Sequence, residues 1–268
     1  RRDRTLVNRI KKKFDELSLN DSKALITYIV AGDPDLKTTL DLMNCMVEEG
    51  ADIIEIGIPF SDPMAEGISI QRGHERALSN KISIKDALNL TSQFRKFNET
   101  TPIVFMGYMN TFESMGVKQF CKEAANKGVD GILIVDMPPE ESTEFSKEAK
   151  SNGIDVIRLI APTTDLSRAK EICDLSSGYI YYISVKGITG SNDLDSEDVK
   201  QKVELLSNQT DLPIAIGFGI KDSNSALSVK ELADGIVAGS VFVDLIGEGG
   251  DTVAKISKKT KELSLAIK

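Results

Sequence analysis

Ala24-Leu25-Ile26-Thr27-Tyr28-Ile29-Val30-Ala31-Gly32-Asp33-Pro34 is a short apolar run that stops at a Gly-Asp-Pro turn, the signature of a strand with an abrupt end. The turn itself separates two parallel-sheet architectures. An open doubly wound sheet would carry a glycine-rich dinucleotide fingerprint after its first strand, and Ala31-Gly32-Asp33-Pro34 is not that fingerprint. Working outward, apolar runs recur at 52–58, 102–106, 131–135, 155–160, 179–184, 213–218 and 235–238, making eight strand candidates with the first at 24–30. Between them lie stretches of helical periodicity, among them 40–49, 117–127, 140–151, 196–206 and 223–232. Strand–helix alternation implies a parallel sheet, because parallel neighbours need crossover connections and helices are the usual crossover. Eight such units within one domain's length favour closure into a single (β/α)8 barrel spanning residues 1–268. Two helices are extra to the repeat. Leu6, Val7, Ile10, Phe14 and Leu17 recur at helical spacing before the first strand, and a short apolar helix over 241–246 comes after the eighth.

Composition removes several function classes. The 268 residues are 41% hydrophobic and 28% charged, as in a folded globular chain. A formal net charge of -8 argues against a broad basic surface for nucleic acid or anionic lipid, while leaving room for a local anion site. Cys45, Cys121 and Cys173 are far apart and odd in number, and with a single histidine they do not form a zinc set of usual spacing. No metal is expected, and the thiols read as reduced, in a cytoplasmic protein. No run approaches the roughly 18 apolar residues that span a bilayer. The chain opens Arg1-Arg2 without a methionine, so its numbering is expected to start inside a longer natural chain.

If the fold is a barrel, the chemistry lies where the strands end at their carboxyl termini. Glu55 sits in the second strand, inside Asp52-Ile53-Ile54-Glu55-Ile56-Gly57-Ile58, where a carboxylate is costly unless paired or functional. The two-residue period puts Glu55 on the face of Ile53 and Gly57, pointing into the barrel mouth with open space above it at Gly57. A pinned structural strut is the competing reading; desolvation toward a general base's range is the one adopted. The next loop, Pro59 to Gly67, is long and holds Asp62 and Glu66; Glu66 can return toward Glu55, giving two carboxylates in unlike environments, whereas Asp62 reads equally as a solvated turn acid. Residues 185–193, rich in small side chains, have the composition of a closing lid or of a plain surface turn. Tyr179 and Tyr181 fall on one strand face and Tyr182 on the other, and such aromatics are commonly core.

Gly217-Phe218-Gly219 closes the seventh strand and Gly239-Ser240 the eighth, the two positions where barrels of this kind build a phosphate site against a short helix. His74, in Arg72-Gly73-His74-Glu75-Arg76, is expected on an exposed helix and solvated. No nucleophile elbow, Walker loop, HExxH or EF-hand pattern occurs.

Taken together these residues resemble the tryptophan synthase alpha subunit family over nearly the whole chain. The core of the likeness is Glu55-Ile56-Gly57-Ile58-Pro59-Phe60-Ser61-Asp62-Pro63, with Ala31-Gly32-Asp33-Pro34, Val135-Asp136, Gly187-Ile188-Thr189-Gly190, Gly217-Phe218-Gly219 and Gly239-Ser240 in the family's order. The resemblance implies cleavage of indole-3-glycerol phosphate to indole and glyceraldehyde 3-phosphate, with no cofactor in this subunit. It assigns Glu55 as base and proton shuttle, and Glu66 as the partner of the indole N–H. It places Tyr181 beside the scissile bond and makes Thr189 the lid residue linked to that acid. Gly190, Gly219, Gly239 and Ser240 become the phosphate cradle, and Tyr28, Met106, Leu133 and Phe218 the indole pocket. It also implies an αββα complex with a pyridoxal-phosphate-dependent beta subunit, docked on Pro59, Asp62 and the Tyr108-Met109-Asn110 loop. Two positions depart from the pattern: Glu66 stands where aspartate is usual and Ile68 where proline is usual. Two alternatives stay open, another phosphate-binding barrel enzyme and a substrate-binding regulator of the beta subunit weakened in catalysis.

Overall fold

The computed structural model describes residues 8–183, 193–217 and 219–268. The strands are β1 (Ala24–Val30), β2 (Ile53–Gly57), β3 (Ile103–Gly107), β4 (Gly131–Ile134), β5 (Asp155–Ile160), β6 (Ile180–Ile183), β7 (Ile214–Gly217) and β8 (Gly235–Ala238). Each pairs in parallel with the next, and β8 closes on β1, giving a sealed eight-stranded barrel. The expected strands are all present: β1, β5 and β8 have their expected limits, β2 is shorter by one residue at each end and β4 by one at its end, β3 is shifted by one, and β6 and β7 start one residue later than expected, with Ser184 and Phe218 outside the described residues.

Twelve α-helices are described: α1 (Arg9–Leu19), α2 (Leu36–Glu48), α3 (Ile68–Ser79), α4 (Ile84–Phe94), α5 (Met109–Glu113), α6 (Val117–Lys127), α7 (Thr143–Ser151), α8 (Leu166–Asp174), α9 (Asp193–Ser207), α10 (Ser223–Lys230), α11 (Ser240–Gly247) and α12 (Thr252–Ile267). Local side-chain chemistry sets several of their starts. Asp35, Asp165 and Asp251 cap α2, α8 and α12 by accepting first-turn backbone N–H bonds, and Ser83 with Asp86 forms a reciprocal capping box on α4. The expected helix over 140–151 resolves into a 3-10 turn at Pro139–Glu141 and then α7; Pro138 is held extended ahead of Pro139, which opens the 3-10 turn.

Side-chain alternation divides the core in two. Leu25, Ile29, Ile54, Ile56 and Phe105 face outward under the helices, while Ile26, Ile53, Val104, Leu133, Ile157, Tyr179, Ala215 and Val237 fill the barrel. Helix α1 stops the N-terminal end: Ile10, Phe14 and Leu17 join the interior set, and the Phe14 and Tyr179 rings lie 5.7 Å apart. Beneath it Asp130 takes Arg9 at 2.8 Å and Arg95 at 2.7 Å while accepting the Ile103 N–H, so this buried acid is fully partnered. The far, C-terminal end of the barrel is left for the site.

Candidate active site

Glu55 projects inward from β2 and is fully buried. Its Oε1 accepts a 2.6 Å hydrogen bond from the Tyr179 hydroxyl of the segment entering β6, while no described residue donates to Oε2. Burial raises its pKa from an ordinary 4.5 to about 7, making it a weaker acid, and the Tyr179 bond only partly opposes this. Tyr28 stands beside it in register on β1. The space expected above Glu55 is not open. A Cβ at Gly57 would collide with the Tyr28 hydroxyl, and one at Gly217 with the Tyr181 hydroxyl, so the two strand-end glycines vacate room for two phenols at the barrel mouth. Burial drives both phenols well above their ordinary range, and the charges of Glu55 and Glu66 add to it in each case. Both hydroxyls therefore lie in the field of both carboxylates.

Glu66 comes from the loop between β2 and α3. The loop folds back through Glu66 N–H to Pro63 C=O at 3.1 Å, and Gln71 Nε2 donates to the Glu66 carbonyl at 2.7 Å. Its side chain is only 6% exposed, and Oε2, like that of Glu55, receives no hydrogen bond from the described residues. Tyr108, just after β3, shelters the loop: its ring stacks on Phe60 at 4.8 Å and its oxygen accepts the Ala65 N–H at 3.3 Å. Burial first and Glu66 second push the Tyr108 phenol up to about 12.

His74 is not on an exposed surface, contrary to expectation. It is fully buried on the inward side of α3 with Gly73 and Ala77. The Phe60 N–H donates to its Nδ1 at 3.0 Å, and its Nε2 lies 3.3 Å from the Tyr28 oxygen and 3.4 Å from Glu66 Oε2. The difference has a physical cause: flanked by Arg72 and Glu75, His74 looks polar in sequence, but the face it occupies is set by Gly73, which lets α3 approach Val243 of α11.

Helix α11 brings the other end of the site. No side chain caps its start: the Phe242 and Val243 N–H groups close on the Gly239 carbonyl at 2.9 and 3.2 Å, and Gly239 lies against Tyr28. Gly219 has φ +33, and no described residue lies within 4 Å of where its side chain would start. Of the expected pocket residues, Met106 packs between the barrel interior and the Tyr28 group, while Leu133 is fully buried among interior residues. Thr189, Gly190 and Phe218, with most of the expected lid, lie outside the described residues. On the expected partner face Asp62 and Asn110 are exposed but Pro59 is buried. Met64 and Ile68, exposed by 80% and 68%, sit in and just after the same loop.

Comparison with known proteins then decides the lineage. The family model described as tryptophan synthase alpha chain matches residues 14–268. The chain belongs to the tryptophan synthase alpha chain family. A relative so named from Neisseria meningitidis serogroup B is 46% identical over 263 residues, covering 98% of this chain and all of that protein. The crystal structure of tryptophan synthase subunit alpha from Legionella pneumophila superposes with a TM-score of 0.91 at 38% identity, over 97% of this chain and 98% of that one. A chain in the tryptophan synthase complex of Pyrococcus furiosus superposes with a TM-score of 0.82 at 37% identity, over 90% and 98%.

Three residues of the site were not legible as part of it: Tyr179, Tyr108 and His74. Tyr179 shares the inward alternation of Tyr181, which is a usable signal; Tyr108 and His74 carry none that outweighs a surface or core reading. Among the described residues no group of three or more His, Cys, Asp or Glu is arranged to hold a metal ion. No described helix is long and apolar enough to cross a membrane, and Cys45, Cys121 and Cys173 are free and buried.

Proposed function

We propose that this chain, acting as one barrel domain, cleaves indole-3-glycerol phosphate to indole and glyceraldehyde 3-phosphate. The observation that carries this reading is the pair of buried carboxylates, Glu55 and Glu66, each keeping one oxygen without a described donor at the barrel mouth. The reaction needs two such groups. Protonating the indole ring carbon that bears the side chain makes the ring an electron sink, with positive charge at its nitrogen. Removing the proton of the adjacent side-chain hydroxyl lets the carbon–carbon bond break, its electrons returning to the ring as the aldehyde forms. Glu55, held near 7, can both give and accept a proton around neutral pH and takes the base and shuttle role. Glu66 accepts the indole N–H and offsets the developing charge. Tyr181, beside Gly217 at the mouth, lies against the scissile bond. The phosphate sits at the α11 N-terminus with Gly219, Gly239 and Ser240, where backbone N–H groups and the helix dipole favour an anion. Thr189 and Gly190 complete the lid and cradle, and Tyr28, Met106, Leu133 and Phe218 bound the indole.

These steps move only protons and one electron pair, so the subunit requires no cofactor of its own. A pyridoxal-phosphate-dependent beta subunit consumes the indole in an αββα complex. Exposed Asp62, Met64, Ile68 and Asn110, close to the catalytic loop, are the docking face, with Pro59 supporting it from beneath. A cytoplasmic setting, in which three buried thiols stay reduced, fits the same reading. The test is indole release from indole-3-glycerol phosphate by the purified chain, alone and with its beta subunit. Release that rises with the partner supports the proposal, and no release under either condition with substrate still bound refutes it in favour of a binding regulator.

A further inference from the structure

We infer that His74 is a positioning residue for Glu66, holding its carboxylate at the barrel mouth through Nε2–H; the inference rests on the lyase reading above only for its kinetic consequence. The ring is oriented before any substrate arrives. A backbone N–H, from Phe60, occupies Nδ1 at 3.0 Å, so that nitrogen acts as acceptor and the ring proton belongs on Nε2. Phe60 is itself fixed by stacking on Tyr108, which closes off ring rotation from the loop side. The Nε2–H then faces two acceptors, the Tyr28 hydroxyl at 3.3 Å and Glu66 Oε2 at 3.4 Å. Both distances are longer than an ordinary N–H···O bond and nearly equal, so a slight tilt trades one acceptor for the other. Glu66 Oε2 is buried without a hydrogen bond from any described residue, and His74 Nε2 faces it at 3.4 Å.

The arrangement answers a problem posed by glutamate. Its added methylene gives the carboxylate one more rotor to restrain than aspartate has, and a misplacement of about 1 Å at a reacting centre can cost about a hundredfold. With one oxygen against His74 and the other turned to the indole N–H, that freedom is removed. His74 touches no reacting atom and acts through Glu66.

Because His74 is the only histidine in 268 residues, its ring gives one unambiguous signal set in the ¹⁵N-labelled full chain. The expected spectrum at neutral pH is the Nε2–H tautomer, with the Nε2 signal moved by Glu66→Ala and the Nδ1 signal little changed. The Nδ1–H tautomer, or an Nε2 signal indifferent to Glu66→Ala, overturns the inference whatever the enzyme's activity. Kinetics supply the second arm. His74→Asn keeps an acceptor for Phe60 but loses the Nε2 donor, whereas His74→Gln keeps a donor near the Nε2 position. We expect His74→Asn to lower kcat roughly 10- to 100-fold with KM changed less than about threefold, and His74→Gln to recover most of it. Glu66→Ala with His74→Asn should be no slower than Glu66→Ala alone. Losses that add, or rescue by Asn rather than Gln, mean a merely structural histidine. If the unmodified chain releases no indole, the lyase reading fails by itself and the spectrum still decides the tautomer and the contact.

Discussion

Replacing Glu55 by glutamine should stabilise the protein while abolishing its chemistry, and the pH dependence of that gain is set by the site. In the folded state Glu55 is raised from 4.5 to about 7 by burial, whereas in the unfolded chain it ionises normally. For an acid raised in this way, the unfolded state releases its proton first. Stability from this group is fully present below about 4.5, falls as pH rises toward 7, and stays low above it. The gap corresponds to about 3 kcal/mol at roughly 1.4 kcal/mol per pH unit. Glutamine is nearly isosteric, never ionises, and its carbonyl oxygen can still accept the Tyr179 hydroxyl, so the Tyr179 contact largely cancels in the comparison. Urea unfolding of wild type and Glu55→Gln at pH 4.5 and pH 8.5 measures the effect. The variant should match the wild type within about 1 kcal/mol at the lower pH and exceed it by about 2–3 kcal/mol at the higher, with m unchanged. In a thermal scan at high pH the gain should appear as roughly 5 °C or more. An equal difference at both pH values, or a variant less stable at pH 8.5, would refute the claim that Glu55 titrates in a desolvated site.

Gly57→Ala should force the Tyr28 phenol from its place against His74, costing about 1–3 kcal/mol by overpacking and lowering kcat more than Gly50→Ala, which lies away from the mouth. Parallel chemical unfolding and steady-state assays would show it, and unchanged turnover would mean Tyr28 does not shape the pocket. Glu66→Asp, although nearer the usual family residue, should slow this chain by about tenfold or more, because the carboxylate retreats by about 1.5 Å from His74. A faster variant would show that Glu66 is simply a weakened aspartate.

The barrel was legible because its signals are redundant: eight apolar runs, each separated by helical periodicity, leave little choice of connection. Glu55 was legible for the opposite reason, as one charge in a strand otherwise apolar, where alternation alone set its direction. The surroundings of Glu55 were not. Gly57 looks like a vacancy because sequence does not say that the neighbouring strand's Tyr28 reaches across to fill it. His74 reads as solvated from its charged neighbours, but its burial is decided by α3 docking on α11, residues more than 160 positions apart in the chain, as in the Arg76 bond to the Val243 carbonyl. Tyr179 and its bond to Glu55 likewise join strands 124 residues apart. Sequence conceals lateral contact between strands and helices that are distant in the chain.

The sharpest test of Glu55 as the titrating base is the pH profile of kcat/KM for indole release by wild type and Glu55→Gln. The wild-type profile should turn near pH 7, where Glu55 changes state, and activity should be lower by at least about a thousandfold in the variant at every pH. A wild-type profile flat between about pH 5 and 9, or substantial indole release by Glu55→Gln, would contradict that role.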